Sequence, residues 1–385
     1  MKNLFTARVK AFNARAINAT IERALTRAGL NTAGGPMRHV TETIRRALAA
    51  GRPPDDHAAP AAHVNAERFG QRKPPSSEQL FKPGSFEAHQ FSNQAGTRAY
   101  KLYIPEATPA TPRAMIVMLH GCTQSADDFA VGTQMNQLAE AQGFLVVYPE
   151  QAAQANASKC WNWFQPQDQL RGEGEPSLIA GITTKVAGAY GVDPQRIFVA
   201  GLSAGAAMAV VLGETYPELF AGVGAHSGLP YGSAHDIPSA LLAMKGGRSG
   251  IAGLRDFGKT DVNLGRGASQ AVPIIVFHGD RDHTVQQSNS SLIVQQAREA
   301  HGSEPSQDAL HIGTRSGVTE RGRRFSREIH TDANGHTRIE SWTLHGAGHA
   351  WSGGHASGSY TDGNGPDASA EMVRFFLNLA YAGSA

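Results

Sequence analysis

The segment Gly201-Leu202-Ser203-Ala204-Gly205 has the residue types of a nucleophile turn. It follows the apolar run 197–200 and precedes the helix-forming stretch 206–211. In that strand–turn–helix setting a serine sits on a sharp, strained bend with its hydroxyl exposed. The glycines two residues to either side keep side chains away from the neighbouring strand and helix. The chemistry this permits is acyl transfer, with Ser203 attacking a carbonyl through a tetrahedral oxyanion. Two backbone N–H groups are expected to hold that oxyanion: Ala204, after the nucleophile, and Cys122, in the loop His120-Gly121-Cys122-Thr123-Gln124 that follows the apolar run 114–119. His120 is read as a holder of this loop. In the chain order Ser, Asp, His, the acid falls in Asp280-Arg281-Asp282 and the base in His345-Gly346-Ala347-Gly348-His349. Asp282 is the expected acid, with Asp280 bracing the turn. His349 is the expected base, with His345 as its competitor. Gly346 and Gly348 argue against a helix there, so an i,i+4 pair of metal-binding histidines is not expected.

These residues need a scaffold, and the hydropathy pattern supplies one. Short, nearly continuous apolar runs at 114–119, 143–148, 197–200, 221–225 and 273–277 suit strands buried on both faces of a mainly parallel sheet. Helical stretches at 132–142, 177–190, 204–215 and 288–300 alternate with them, so the expected class is α/β with helices on both faces. Hairpins are expected at 85–105, around Asn93–Gly96, and at 325–344, around Asn334–Gly335. Asp367 is placed to cap a last helix whose apolar face carries Met372, Phe375, Phe376 and Leu379.

The chain has 385 residues, 41% of them hydrophobic, which is enough for a large core. A net charge of +2 advertises no nucleic-acid partner. No apolar run reaches the roughly 18 residues of a transmembrane span. With 43 glycines and 20 prolines the chain is loop-rich, not a helical bundle. Two cysteines exclude a disulfide scaffold and a multi-cysteine zinc site, and leave a single bridge open. Residues 1–50 form a basic leader in which nine Lys and Arg face only Glu22 and Glu42. Helical spacing there predicts either a docked helical arm or an amphipathic helix attaching to an anionic or apolar surface. The leader lacks the apolar core and cleavage site of a signal peptide. The proline-rich stretch 51–84 reads as a linker, which sets the catalytic domain at 85–385.

Together HGCTQ at 120–124, CWNWF at 160–164, VDPQRIFVAGLSAGAAM at 192–208, HSGLPYG at 226–232, HGDRDHTV at 278–285 and GHAWSGG at 348–354 resemble the polyhydroxybutyrate-depolymerase family of esterases. It is an α/β-hydrolase group that also holds feruloyl and acetylxylan esterases. The resemblance spans roughly 85–382. It implies a serine esterase with Ser203, Asp282 and His349 as triad and no cofactor or metal. The implied substrate is a small ester or polyester, with short hydroxybutyrate esters or oligomers first and a feruloyl or acetylxylan ester as alternative. A serine peptidase on the same fold, or a silent binding protein, is the competing class. The resemblance implies an extracellular location, against which the lack of a visible signal makes the cytoplasm the runner-up. It also implies a Cys122–Cys160 bridge bracing the oxyanion loop, the alternative being two buried thiols. Trp161 and Trp351 flank the site loops, so they are expected to wall the substrate cleft, with Asn162 adding a polar contact.

Overall fold

The computed structural model describes residues 84–106, 113–247, 271–301 and 310–382. The basic leader and the linker up to residue 83 lie outside the described residues. The hairpin expected around Asn93–Gly96 pairs β1 (Ser85–Asn93) with β2 (Gly96–Ile104), Asn93 opposite Gly96. The short apolar runs become β3 (Arg113–Leu119), β4 (Leu145–Glu150), β5 (Val192–Leu202), β6 (Gly222–His226) and β7 (Ile274–Gly279). Three strands antiparallel to one another, β8 (His311–Val318), β9 (Arg324–Thr331) and β10 (Thr337–Leu344), complete a ten-stranded sheet in the order β1-β2-β4-β3-β5-β6-β7-β10-β9-β8. Its centre, from β4 through β3, β5, β6 and β7 to β10, is parallel throughout.

Side chains alternate between the two faces of this sheet, as the pleat requires. Met115, Val117 and Leu119 of β3 join one core, and Ile116 and Met118 join the other. The first core is closed by α3 (Gly174–Tyr190), α4 (Ala204–Thr215), α5 (Ile237–Met244) and α6 (Ser288–His301). The second is closed by α1 (Ala126–Thr133), α2 (Met135–Gln142) and α7 (Ala368–Ala382). The single helix expected at 132–142 is thus two, divided at Gln134, whose φ of 56° is left-handed. In α7 the Asp367 carboxylate accepts the Ala370 N–H at 2.9 Å, and Met372, Phe375 and Phe376 are buried. Among the described residues no helix is long and apolar enough to cross a membrane.

Chain order reverses between β3 and β5, which neighbour each other while β4 lies beyond β3. Such a switch point leaves a crevice outside the carboxyl ends of the strands. Leu119, Glu150, Leu202, His226, Gly279 and Leu344 end their strands on this side, so the segments carrying every expected site residue leave from one edge.

Candidate active site

Ser203 follows the last residue of β5 and caps α4, with φ 57° and ψ −119°. A non-glycine residue at positive φ is held there only by surrounding structure, and such strain concentrates at functional sites. The hold is visible. Ser203 N–H donates to the His226 carbonyl at 2.9 Å, and the Ser203 carbonyl accepts the Ala207 N–H at 2.9 Å. The flanking glycines are required by contact: a Cβ on Gly205 would sit 2.1 Å from the Leu119 carbonyl oxygen, and one on Gly201 2.4 Å from the Gly205 backbone. The turn is therefore pressed against the end of β3 and the loop it launches. Ala204 opens α4, where the first N–H groups have no partner within the helix.

Cys122 lies on that adjacent loop and is bridged to Cys160. Buried His120 fixes its base. The ring Nδ1–H donates to the Gly121 carbonyl at 2.7 Å, while Nε2 accepts the Gln151 N–H at 3.0 Å. This pairing needs the neutral imidazole, and burial lowers the pKa of His120 to about 4. The expected holding role of His120 is what these bonds describe. In a planar trans peptide the C=O and the next N–H point in opposite directions. Anchoring the Gly121 carbonyl inward therefore turns the Cys122 N–H away from His120.

Asp282 and His349, the residues expected as acid and base, lie within hydrogen-bonding distance of each other. His349 Nδ1 donates to Asp282 Oδ2 at 2.6 Å. Asp282 Oδ1 accepts the N–H groups of Thr284 and Val285, both at 2.9 Å. Burial acts to raise the Asp282 pKa, but the bonds from His349 and Val285 outweigh it and hold the carboxyl below its ordinary value. Asp280 meets the other imidazole. Its carboxylate accepts His345 Nδ1–H at 3.0 Å and the Gly346 N–H at 2.6 Å, tying the ends of β7 and β10 together. His226, buried and stacked on Trp351 at 5.2 Å, accepts the Ser352 N–H at 3.0 Å. Ser203's own N–H partner thus also anchors the segment just after His349. Among the described residues no hydrogen bond joins the Ser203 hydroxyl to His349. That contact is often long before substrate binds.

The expected substrate wall is not found. Trp161 and Trp351 are 0% and 1% exposed. Their indole N–H groups donate to the His120 carbonyl at 3.1 Å and to Ser369 Oγ at 3.0 Å. Both rings pack the undersides of the loops. Asn162 is likewise committed: its amide donates to Glu175 Oε1 at 2.9 Å and its Oδ1 accepts from Asn156 at 2.9 Å.

Glu175 and Gln151 were not singled out from sequence. Glu175 is buried on α3, where its carboxylate also accepts the Asn162 N–H at 2.7 Å and a bond from Gln151 Nε2. Arg98, equally buried, lies 3.6 Å away. Gln151 Nε2 donates on to the Cys160 carbonyl at 2.9 Å. One carboxylate thus joins the end of β4, the disulfide segment and, through the Gln151 backbone, the His120 ring. Burial and the nearby Asp168 raise the Glu175 pKa to about 7.

A mainly parallel sheet with helices on both faces, a strained serine between strand and helix, and a buried aspartate–histidine pair at the same edge together define an α/β-hydrolase. The model for the family described as Esterase PHB depolymerase matches residues 98–318, more than half of the chain, and the chain belongs to that family. Poly(3-hydroxyalkanoate) depolymerase C of Paucimonas lemoignei is 32% identical over 68% of this chain and 61% of its own. Probable acetylxylan esterase A of Aspergillus fumigatus is 38% identical over 37% of each chain. The chain therefore spans less than two thirds of the length of these relatives. An acetyl xylan esterase from Aspergillus awamori shares the fold, with a TM-score of 0.57 at 20% identity over 76% of this chain and 99% of its own.

Proposed function

We propose that the protein is a serine carboxylic-ester hydrolase that works through an acyl-enzyme, with Ser203, Asp282 and His349 as its triad. The observation that carries this reading is the 2.6 Å bond from His349 to buried Asp282, at the same sheet edge as strained Ser203. His349 takes the Ser203 proton as the oxygen attacks the ester carbonyl. Asp282 holds the imidazole in the tautomer that leaves Nε2 free, and steadies its charged form. The N–H groups of Cys122 and Ala204 receive the oxyanion. His349 then protonates the leaving alcohol, and water repeats the cycle on the acyl-enzyme.

The first substrate class is a short hydroxyalkanoate ester or oligomer, supported by the family and by the similarity to a poly(3-hydroxyalkanoate) depolymerase. An acetylated carbohydrate is the second, supported by the local identity to acetylxylan esterases. A chain-length series of soluble esters, run beside hydroxybutyrate oligomers, acetylated xylan oligomers, a feruloyl ester and an anilide, separates these classes. Preference for hydroxybutyrate oligomers supports the first reading. Preference for the anilide would replace an esterase by a peptidase. The catalytic unit is residues 85–385, with the basic leader as a surface attachment, and the enzyme acts outside the cell. The Cys122–Cys160 bridge supports an oxidising compartment.

A further inference from the structure

We propose that Ser326, His345 and Asp280 form a second nucleophilic site, separate from the one at Ser203 and not dependent on the reading given to it. Ser326 Oγ lies 2.9 Å from His345 Nε2, and His345 Nδ1 lies 3.0 Å from Asp280 Oδ2. A hydroxyl within reach of an imidazole whose other nitrogen is held by a carboxylate is the arrangement that activates a serine. The order of bonds fixes the proton positions. Asp280 is held below the ordinary carboxylate range: burial opposes this, but the Gly346 N–H and His345 outweigh it. It is therefore an acceptor at neutral pH. His345 accordingly carries its hydrogen on Nδ1, and Nε2 accepts the Ser326 hydroxyl.

Three strands place these groups. Asp280 follows β7, His345 follows β10, and Ser326 lies on β9, opposite Thr343 of β10 and Ser316 of β8. The relay opens onto a surface cavity of about 430 Å³ whose wall includes Val318, Phe325 and Arg324. Val318 is 63% exposed, an apolar side chain at the rim with nothing packed over most of it. Arg324 stands two residues before Ser326, hence on the same face of β9, and brings a cation to the wall. A small apolar acyl ester fits this chemistry, with its carbonyl oxygen turned to Arg324.

The step balances without a cofactor. The Ser326 O–H bond breaks, its proton passes to His345 Nε2, and the oxygen bonds to the acyl carbon. The carbonyl electron pair moves to oxygen beside Arg324. On collapse the ester C–O bond breaks, and the proton on His345 passes to the departing alkoxide. A guanidinium on a flexible stem is a weaker oxyanion holder than two fixed backbone donors. The expected reaction is therefore slow acylation of Ser326, far below the rate at Ser203.

The test is covalent labelling of the full chain carrying Ser203→Ala, using a fluorophosphonate and 4-nitrophenyl acetate, with adducts mapped by peptide mass spectrometry. The expected result is one slow adduct per chain on Ser326. Labelling should fall at least tenfold in Ser203→Ala/Ser326→Ala and in Ser203→Ala/His345→Gln. The Ser326→Ala change removes one oxygen, so it guards against misfolding of the His345 variant. Absence of an adduct on Ser326 would overturn the proposal, as would an adduct unaffected by His345→Gln. The relay would then be only a brace for the loop that carries His349. Because the wild-type adduct is mapped as well, a label missing from Ser203 would count against the triad and not against this site.

Discussion

Asp282 and Asp280 stand two residues apart and hold different imidazoles, which separates their expected mutational costs. Asp282→Asn removes the charge that fixes the His349 tautomer and should lower kcat by about 10⁴, the loss seen for the same change in a serine-protease triad. Asp280→Asn leaves that pair intact and should cost far less. The reverse ranking in steady-state kinetics on a soluble ester would move the acid to Asp280. Glu175→Gln tests the network behind the oxyanion loop. The substituted amide presents N–H groups where the carboxylate now accepts from Asn162 and Gln151. A drop of roughly 10-fold to 100-fold in kcat with KM nearly unchanged is expected, because the oxyanion donors proposed at Cys122 and Ala204 would act on the transition state. An unchanged kcat would disconnect the network from catalysis. The proposed triad can be read from the sequence because each of its residues follows an apolar strand in a loop of distinctive composition. The tryptophans mislead because proximity in sequence to a site loop does not say which way a ring turns. Glu175 is invisible in sequence because its partners Arg98, Gln151 and Asn162 come together only through the fold.

At the scale of elements, the turn carrying Ser203 and the loop carrying Cys122 are coupled by direct contact. Gly205→Ala would drive a Cβ into the Leu119 and His120 carbonyls, both of them backbone. A marked fall in Tm together with loss of activity is expected, and a variant of unchanged Tm would contradict the close approach. The Cys122–Cys160 bridge spans 38 positions. Chain-entropy estimates give about 3–4 kcal/mol for closing such a loop, so reduction should lower the denaturation midpoint. Two free thiols in the unreduced, denatured protein would refute the bridge. The central strands and both hairpins are readable from the sequence, because burial on two faces, the alternation on either side of Asn93–Gly96 and the Asn334-Gly335 turn leave local marks. Strand β8 is not: His311–Val318 lies at the sheet edge, mostly exposed, and so carries no apolar pattern. The division of α1 from α2 at Gln134 is hidden for another reason, since glutamine gives no sign of a left-handed backbone.

For the molecule as a whole, buried titratable groups set the pH dependence of stability. Burial holds His120 and His226 neutral, near about 4 and about 3, against an ordinary value of 6.5. As pH falls below 6.5 the unfolded chain binds protons at both while the native state does not, so stability is lost. Glu175, raised to about 7 from 4.5, works in the opposite sense, because the native state takes its proton first. Burial also lowers His89, His278 and His301 and raises Asp168 and Asp367; five imidazoles against three carboxyls leave a net loss, so Tm should be lower at pH 4.5 than at pH 6.5. A flat or rising Tm on acidification would contradict these burials. The basic leader predicts a separate behaviour: a chain beginning near Ser77 should keep its turnover of soluble esters but bind polymer granules or anionic vesicles less at low salt. Equal binding of the full and shortened chains would remove the attachment. The proposed role of Ser203 as the nucleophile of an esterase is decided by the turnover of one short soluble ester by Ser203→Ala beside the wild type, with folding checked by circular dichroism. A loss of several orders of magnitude in kcat in a folded protein is expected; a folded variant turning over near the wild-type rate would contradict the role given to Ser203.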